Sequence, residues 1–315
     1  MAAPLIALVT RDSRDEEEAL LRHLGAALPS ETIRSLRDLS GDQRAAVDIA
    51  IVANPDPADL ATLPNLKWIH SLWAGVERLV AELDGIDVPI VRLVDPELAR
   101  TMAEAVLAWT YYLFRDMPAY AAQQRDRTWR QLDYIHPSRV TVGILGLGKL
   151  GVAAAGRLKE AGFTVAAWSR TPKQVTGVDC YSGADRLDAM LAKSDILVCL
   201  LPLTAETRGL LDADRLAKLP RGAQLINFGR GAVLHVPDLI DALDGGHVRH
   251  AVLDVFECEP LPQENPLWAH PAVTVLPHIS APTETSTATA IVAANIATYR
   301  ESGTLPKPVD RVLGY

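Results

Sequence analysis

The chain has 315 residues, of which 49% are hydrophobic, and a formal net charge of −8 at pH 7. This length allows two domains, and this hydrophobic content excludes an intrinsically disordered chain. The acidic balance and the lack of a basic block argue against nucleic acid as a partner, and no apolar run is long enough to span a membrane.

The three cysteines, Cys180, Cys199 and Cys258, are scattered along the chain and form no Cys-x-x-Cys pair. This pattern predicts no zinc site and, more generally, no metal centre. Scattered free cysteines are typical of a reducing compartment. We therefore expect a cytoplasmic protein.

Strand-like and helix-like segments alternate from end to end, which predicts parallel sheets covered by helices. The first hundred residues contain predicted strands at 5–9, 49–53, 67–70 and 89–93. No basic segment precedes residues 5–9, so they are interpreted as a strand and not as a signal peptide. The acidic run 15–18 predicts a helix start, and a long buried helix is predicted at 101–114.

A glycine-rich motif follows the apolar segment 140–145 and precedes a helix-like stretch at 152–161. The motif is Gly146-Leu147-Gly148-Lys149-Leu150-Gly151. Gly146 allows a tight turn, Gly148 allows the backbone to approach a pyrophosphate, and Gly151 allows close packing of helix on strand. The strand before and the helix after distinguish this motif from an ordinary glycine-rich turn. We therefore expect these six residues to bind a dinucleotide.

Five further strands are predicted after the motif, at 164–168, 195–200, 224–228, 251–256 and 273–276. With the strand at 140–145 they match the spacing of a doubly wound nucleotide-binding sheet. From residue 285 onward the chain is predicted to be helical and then proline-rich.

The second strand of this region ends in Ser169, Arg170 and Thr171, with Lys173 close behind. Strands in this position commonly end in a carboxylate that binds the ribose 2′-hydroxyl of NAD, and none is present here. Hydroxyls and an arginine instead suit a 2′-phosphate. We therefore expect NADPH to be preferred. NADH stays open as an alternative, because the segment could also be a solvent-facing basic turn with mixed cofactor use.

Three later strands are each followed by a residue with useful chemistry: Arg230, Glu259 and His278. Parallel strands build their sites at their carboxyl ends, so these side chains are expected to converge. Each has an ordinary alternative: an arginine in an ion pair, a glutamate in a surface turn and a histidine in the core. Their common order and placement favour a catalytic set.

The chain resembles the D-isomer-specific 2-hydroxyacid dehydrogenase family, most closely its glyoxylate/hydroxypyruvate reductase A branch. The similar segments are 74–76, the glycine motif, 201–208, 227–231, 254–260, 277–278 and the ending 309–315. The resemblance implies reduction of a small 2-keto acid, such as glyoxylate to glycolate or hydroxypyruvate to D-glycerate.

Roles for individual residues follow from the resemblance. Arg230 would hold the substrate carboxylate and polarise the ketone, His278 would act as general acid or base, and Glu259 would orient the imidazole. Substrate is also expected at the loop Trp73-Ala74-Gly75. Further cofactor contacts are expected from Leu201, Pro202, Thr207, Phe228, Gly229, Asp254 and Ser280.

The resemblance also implies two Rossmann-like or flavodoxin-like domains with the active site in the cleft between them. A discontinuous substrate-binding domain, 1–98 plus 285–315, would accompany a dinucleotide-binding domain at 99–284. A homodimer is expected, with contacts from the helix at 101–112 and the arm near Trp129.

Two departures from the family pattern leave alternatives open. Glu77 stands where many relatives have Asp, and the segment 52–55 lacks an aromatic that is associated with the branch. Glu77 is therefore assigned no substrate contact, and the segment 52–55 favours a wider pocket for a bulkier 2-keto acid as one alternative. D-3-phosphoglycerate is a separate alternative, which is weakened because the chain lacks the extra regulatory domain that many phosphoglycerate dehydrogenases carry. A third alternative is a dinucleotide-sensing corepressor without catalytic activity. The intact set of Arg230, Glu259 and His278 argues against it.

Overall fold

The computed structural model describes residues 5–83 and 87–311. The chain forms two compact units, Met1–Glu97 with Thr283–Tyr315, and Leu98–Pro282. Parts of the predicted first domain, residues 1–4, 84–86 and 312–315, lie outside the described residues, as does most of the family-like ending.

The first unit begins with five strands and four helices. In chain order they are β1 (Leu5–Thr10), α1 (Arg14–Ala27), β2 (Thr32–Ser35), α2 (Gly41–Arg44), β3 (Val47–Ala53), α3 (Pro57–Leu60), β4 (Trp68–Ser71), α4 (Glu77–Glu82) and β5 (Ile90–Val91). The strands lie in the order β2-β1-β3-β4-β5 and pair in parallel. This is the flavodoxin-like order of a doubly wound sheet.

The second unit carries the glycine motif and seven strands. Its elements are α5 (Pro96–Phe114, whose first two residues belong to the first unit), α6 (Met117–Arg125), β6 (Thr141–Leu145), α7 (Lys149–Glu160), β7 (Thr164–Ser169), β8 (Asp179–Ser182), α8 (Ala184–Leu191), β9 (Ile196–Cys199), α9 (Ala213–Leu216), β10 (Ala223–Asn227), α10 (Val236–Asp244), β11 (Val248–Leu253) and β12 (Val273–Val275). The last helix, α11 (Thr285–Ser302), returns to the first unit.

The strand order of the second sheet places the predicted site residues. It is β12-β11-β10-β9-β6-β7-β8, and every pair is parallel. The chain direction across the sheet reverses between β6 and β9. Ligands of open parallel sheets bind outside the carboxyl ends of the strands at this switch point.

Both sheets are covered on two faces, which explains their nearly continuous apolar strands. All residues of β1 and β3 are buried. In the second unit one face packs beneath α5 and α7, and the other beneath α8, α9 and α10. The predicted parallel α/β fold class is therefore confirmed.

Two strands were not predicted, β2 and β8. Both lie at an edge of their sheet and are partly exposed, so their sequences lack the apolar run of a central strand. Helix α7 also begins at Lys149, three residues before the predicted start. Gly151 lies in its first turn, where the close contact with β6 favours glycine over better helix formers.

Candidate active site

The glycine motif forms the turn from β6 into α7. Gly146 has φ +102°, and a Cβ on Gly151 would lie 2.0 Å from the Gly146 carbonyl oxygen, so both positions require glycine. A Cβ on Gly148 would instead point into open space. Gly148 gives α7 no side-chain cap, which leaves the first N–H groups of the helix for a ligand. The loop therefore suits a pyrophosphate.

The loop after β7 carries the residues that are predicted to bind the 2′-phosphate of the cofactor ribose. The Ser169 hydroxyl donates to the Thr171 carbonyl at 2.8 Å, and the Lys173 ammonium donates to the Leu147 carbonyl at 2.7 Å. Lys173 thus ties this loop to the glycine motif, a contact that the sequence did not predict. The Arg170 guanidinium is partly exposed and carries the positive charge expected for a 2′-phosphate.

Glu259 and His278 form a hydrogen-bonded pair. His278 Nδ1 lies 2.8 Å from Glu259 Oε2, and the other carboxylate oxygen accepts from the Phe256 N–H at 2.8 Å. Because an ionised carboxylate only accepts, Nδ1 donates, and Nε2 is the nitrogen that can exchange a proton with substrate. His278 follows β12 with a left-handed φ of +54°, an unusual conformation for histidine.

Asp254 holds the histidine loop in this conformation. Its buried carboxylate accepts from the Ile279 N–H at 2.7 Å and from the Ser280 N–H at 2.9 Å, and its carbonyl accepts from the His278 N–H at 3.0 Å. Sequence reasoning assigned Asp254 only a cofactor contact. Asp254 follows β11 and His278 follows β12, so the sequence places both at the same edge of the sheet. It does not show which backbone groups the Asp254 carboxylate binds.

The charges around the pair favour a protonated imidazole. The hydrogen bond to Glu259 raises the pKa of His278 above its ordinary value, against a lowering effect of burial; Asp254 adds to the rise and Arg230 opposes it. Burial pushes the pKa of Glu259 upward, but hydrogen bonds from His278 and Phe256, with the Arg230 charge, hold it below its ordinary value. This arrangement suits a general acid beside an ionised carboxylate.

Arg230 reaches the same edge from the turn after β10. Its Nη1 donates to the Gly229 carbonyl at 2.8 Å, and Asn227 binds both the Gly229 N–H and the Arg230 carbonyl at 3.2 Å. The next residue, Gly231, packs directly on the chain leading to Glu259, since a Cβ there would lie 2.0 Å from the Phe256 carbonyl carbon. The three predicted catalytic residues therefore lie together.

Other predicted cofactor residues lie in the turns after β9 and β10, next to the switch point. Thr207 donates to the Pro202 carbonyl at 2.7 Å and accepts from the Thr204 N–H at 2.8 Å, so its hydroxyl shapes the turn after β9. A Cβ on Gly229 would lie 2.6 Å from the Leu201 carbonyl oxygen, which brings the β9 and β10 loops into contact. Phe228 is buried in the same turn.

Ser280 offers a specific test of whether a dinucleotide fits. Its side chain is buried, and within the described ranges 5–83 and 87–311 its hydroxyl has no hydrogen-bond partner. Buried polar atoms are seldom left unpaired. A hydroxyl in the His278 loop with bonding capacity to spare fits a polar group of a dinucleotide, such as the carboxamide of a nicotinamide ring. The sequence predicted a cofactor contact at Ser280 without naming the group, and that contact stays a prediction.

The predicted substrate loop lies in the first unit, after β4. The Trp73 N–H donates to the Ser71 hydroxyl at 3.0 Å, its carbonyl accepts from the Leu93 N–H at 3.1 Å, and its side chain is 40% exposed. Ala74 follows Trp73 in this loop, Gly75 comes next, and α4 begins at Glu77. Their binding role stays a prediction.

Two further observations concern ligands and membranes. In the portion of the chain with described coordinates, no group of three or more His, Cys, Asp or Glu side chains could hold a metal ion. Among the described helices, none is both long and apolar enough to cross a membrane.

A doubly wound sheet that brings an arginine, a glutamate and a histidine to its switch point has the parts of a dinucleotide-dependent oxidoreductase. Residues 107–280 match the family model described as "D-isomer specific 2-hydroxyacid dehydrogenase, NAD binding domain". The chain is 40% identical over 304 residues to glyoxylate/hydroxypyruvate reductase A of Serratia proteamaculans, covering 95% of this chain and 96% of that protein.

Two solved structures are similar over the whole fold. The first is a D-isomer specific 2-hydroxyacid dehydrogenase from Xanthobacter autotrophicus in complex with NADPH and MES, with TM-score 0.91, 40% identity and complete coverage of both chains. The second is an NADPH-dependent glyoxylate/hydroxypyruvate reductase from Sinorhizobium meliloti with NADP and sulfate, with TM-score 0.91, 36% identity and coverage of 99% and 100%. The chain belongs to the D-isomer specific 2-hydroxyacid dehydrogenase family.

Proposed function

We propose that this chain reduces small 2-keto acids with NADPH, converting glyoxylate to glycolate and hydroxypyruvate to D-glycerate. The observation that carries the proposal is the 2.8 Å hydrogen bond between His278 and Glu259 at the sheet edge that also holds Arg230. The relatives that are named glyoxylate/hydroxypyruvate reductases, and the similar structures with NADPH or NADP, support the choice of substrate and cofactor.

The three residues divide the chemistry of a keto acid between them. Arg230 binds the substrate carboxylate with its planar guanidinium and polarises the neighbouring ketone. His278 gives the proton on Nε2 to the ketone oxygen, and in the reverse direction takes it back. Glu259 keeps Nδ1 protonated and stabilises the charged imidazole. When bound, NADPH supplies the hydride.

The cofactor would be held by four groups of residues. The glycine motif binds the pyrophosphate with backbone N–H groups, and Ser169, Arg170, Thr171 and Lys173 bind the 2′-phosphate. The β9 turn with Leu201, Pro202 and Thr207 and the β10 turn with Phe228 and Gly229 form the walls. Ser280 and Asp254 would form hydrogen bonds with the nicotinamide carboxamide. NADH would bind with lower affinity, because it offers no phosphate to Arg170.

We assign the first unit the role of substrate domain. Residues 1–98 and 285–315 would form it, with the backbone N–H groups of Ala74 and Gly75 binding the substrate carboxylate and the Trp73 side chain providing an apolar wall. Residues 99–284 would form the dinucleotide-binding domain. Because the segment 52–55 lacks an aromatic side chain, a bulkier 2-keto acid is kept as the alternative substrate.

We further propose a cytoplasmic homodimer. The segment after α6 carries three strongly exposed apolar side chains, with exposures of 99% for Trp129, 64% for Tyr134 and 51% for Ile135. Such a set marks a surface that is buried in an assembly. Light scattering should give the mass of a dimer, and Trp129→Ala should shift it towards the monomer. A monomeric unaltered chain would contradict this assignment.

The main experiment measures oxidation of NADPH and of NADH with glyoxylate, hydroxypyruvate, pyruvate and phenylpyruvate. Fast turnover of the two smallest acids with NADPH supports the proposal, and a preference for phenylpyruvate supports the wider pocket. Arg230→Ala and His278→Ala should each lose most of the turnover while NADPH still binds. Binding of NADPH without turnover of any keto acid would contradict the enzymatic function.

A further inference from the structure

A carboxylate from the loop after β9 stands beside the residue that is proposed to recognise the 2′-phosphate. Glu206 Oε2 lies 3.7 Å from Arg170 Nη1, and the two side chains are 72% and 41% exposed. Both residues belong to the second unit. The pair joins the loop after β7 to the loop after β9, and these two strands are the neighbours of β6, which leads into the glycine motif.

The turn that carries Glu206 is fixed by its neighbours. The Thr207 hydroxyl donates to the Pro202 carbonyl at 2.7 Å, and the Arg208 N–H donates to the Thr204 carbonyl at 3.0 Å. The backbone therefore presents Glu206 towards Arg170 from a defined position.

The Arg170 loop is held equally firmly. Ser169 bonds to the Thr171 carbonyl within the loop, and Lys173 anchors it to the glycine motif through the Leu147 carbonyl. These bonds keep the loop that carries Arg170 beside the turn that carries Glu206, so a phosphate that binds Arg170 would lie close to the carboxylate. The loop cannot turn away from the carboxylate without breaking these bonds.

Charge decides what this arrangement does to the cofactor. A 2′-phosphate carries about two negative charges, competes with the Glu206 carboxylate for Arg170 and is repelled by it, whereas the 2′-hydroxyl of NADH is neutral. We propose that Glu206 is a specificity-determining residue that lowers the affinity for 2′-phosphorylated dinucleotides and so limits the preference for NADPH. This proposal rests on the proposed role of Arg170 in binding the 2′-phosphate.

The test is calorimetric titration of the unaltered protein and of Glu206→Gln with NADPH and with NADH. The glutamine keeps the shape of the side chain and removes its charge. Because exposed ion pairs are weak, the expected gain in NADPH affinity is about two- to fivefold, with a smaller change for NADH. The gain should shrink at high salt, since the interaction is exposed and screened.

Two comparisons isolate the effect. Glu257→Gln removes the same charge from a carboxylate of similar exposure, 75%, that pairs with Arg208 instead, and it should leave the NADPH to NADH ratio of affinities unchanged. In a background of Arg170→Gln, the Glu206→Gln substitution should keep only the smaller gain that comes from direct repulsion between the carboxylate and the 2′-phosphate, because no competition for Arg170 remains. A double-mutant cycle of this kind measures the coupling between the two residues.

The outcomes separate this proposal from the proposed function. If the unaltered protein prefers NADPH and Arg170→Gln loses that preference, the cofactor assignment stands whatever Glu206 does. Equal or weaker NADPH binding by Glu206→Gln would then overturn the role of Glu206 alone. A protein that binds NADH more tightly than NADPH, with no effect of Arg170→Gln, would overturn both.

Discussion

Gly231 connects the arginine of the site to the chain that carries its glutamate, and its substitution by alanine tests that connection. A Cβ at this position would lie 2.0 Å from the Phe256 carbonyl carbon and 2.4 Å from the Glu257 nitrogen. Both atoms are backbone, so no side chain can rotate out of the way. The two chain segments must instead separate.

The size of the displacement follows from these distances. Ordinary van der Waals contact of a Cβ begins at 3.4 Å, so relief of the 2.0 Å contact requires a shift of about 1.4 Å. Arg230 precedes the alanine, and Glu259 follows Phe256 by three residues. Overpacking of this kind costs about 1–3 kcal/mol of stability. A misplacement of about 1 Å in a catalytic group reduces turnover by about 100-fold.

The assay combines thermal unfolding, NADPH titration and steady-state turnover of hydroxypyruvate. Gly231→Ala should lower the unfolding temperature and kcat, while NADPH still binds through the glycine motif. Gly156→Ala is the matched control, because a Cβ on this glycine of α7 meets nothing within 4 Å. The control should gain about 0.5–1 kcal/mol of stability and keep its turnover. A folded Gly231→Ala variant with unchanged kcat would refute the argument that this contact positions the site.

Three further substitutions test the electrostatics of the chain. Glu259→Gln keeps an acceptor for His278 Nδ1 but removes the negative charge that helps to raise the pKa of the imidazole. The loss of reductase activity with rising pH, which follows deprotonation of His278, should therefore move to lower pH, and an unmoved profile would contradict the assignment of His278 as the acid. Ser280→Ala removes an unpaired buried hydroxyl, so it should stabilise the cofactor-free protein. It should also weaken NADPH binding by about 3- to 10-fold. Stability and NADPH affinity equal to those of the unaltered protein would argue against the carboxamide contact. Burial lowers the pKa of His70 from its ordinary value of 6.5 to about 4. As the pH falls, the His70 imidazole of the unfolded chain is therefore protonated near pH 6.5, whereas that of the folded protein is protonated only near pH 4. The free energy of unfolding should therefore fall by up to about 3 kcal/mol as the pH drops from 6.5 to 4. In His70→Gln the free energy of unfolding should depend less on pH over this range.

The sequence by itself determined the fold class and the sheet edge at which the three predicted catalytic residues lie. Apolar strands with helical segments between them require a parallel sheet covered on both faces, because neither face could be exposed to water. The glycine motif predicted the tight turn from β6 into α7 by its local sterics alone. Arg230, Glu259 and His278 could be grouped because each follows a strand, and parallel strands end at one edge.

The tertiary structure decided which groups touch. The bonds from Asp254 to the loop of His278, the packing of Gly231 on Phe256 and the ion pair of Glu206 with Arg170 all join segments that are distant in sequence. No local pattern encodes such contacts, because they depend on the path of each loop once the sheet has placed its ends. The edge strands β2 and β8 were missed for the same reason: their pairing comes from the neighbouring strand and not from an apolar run of their own.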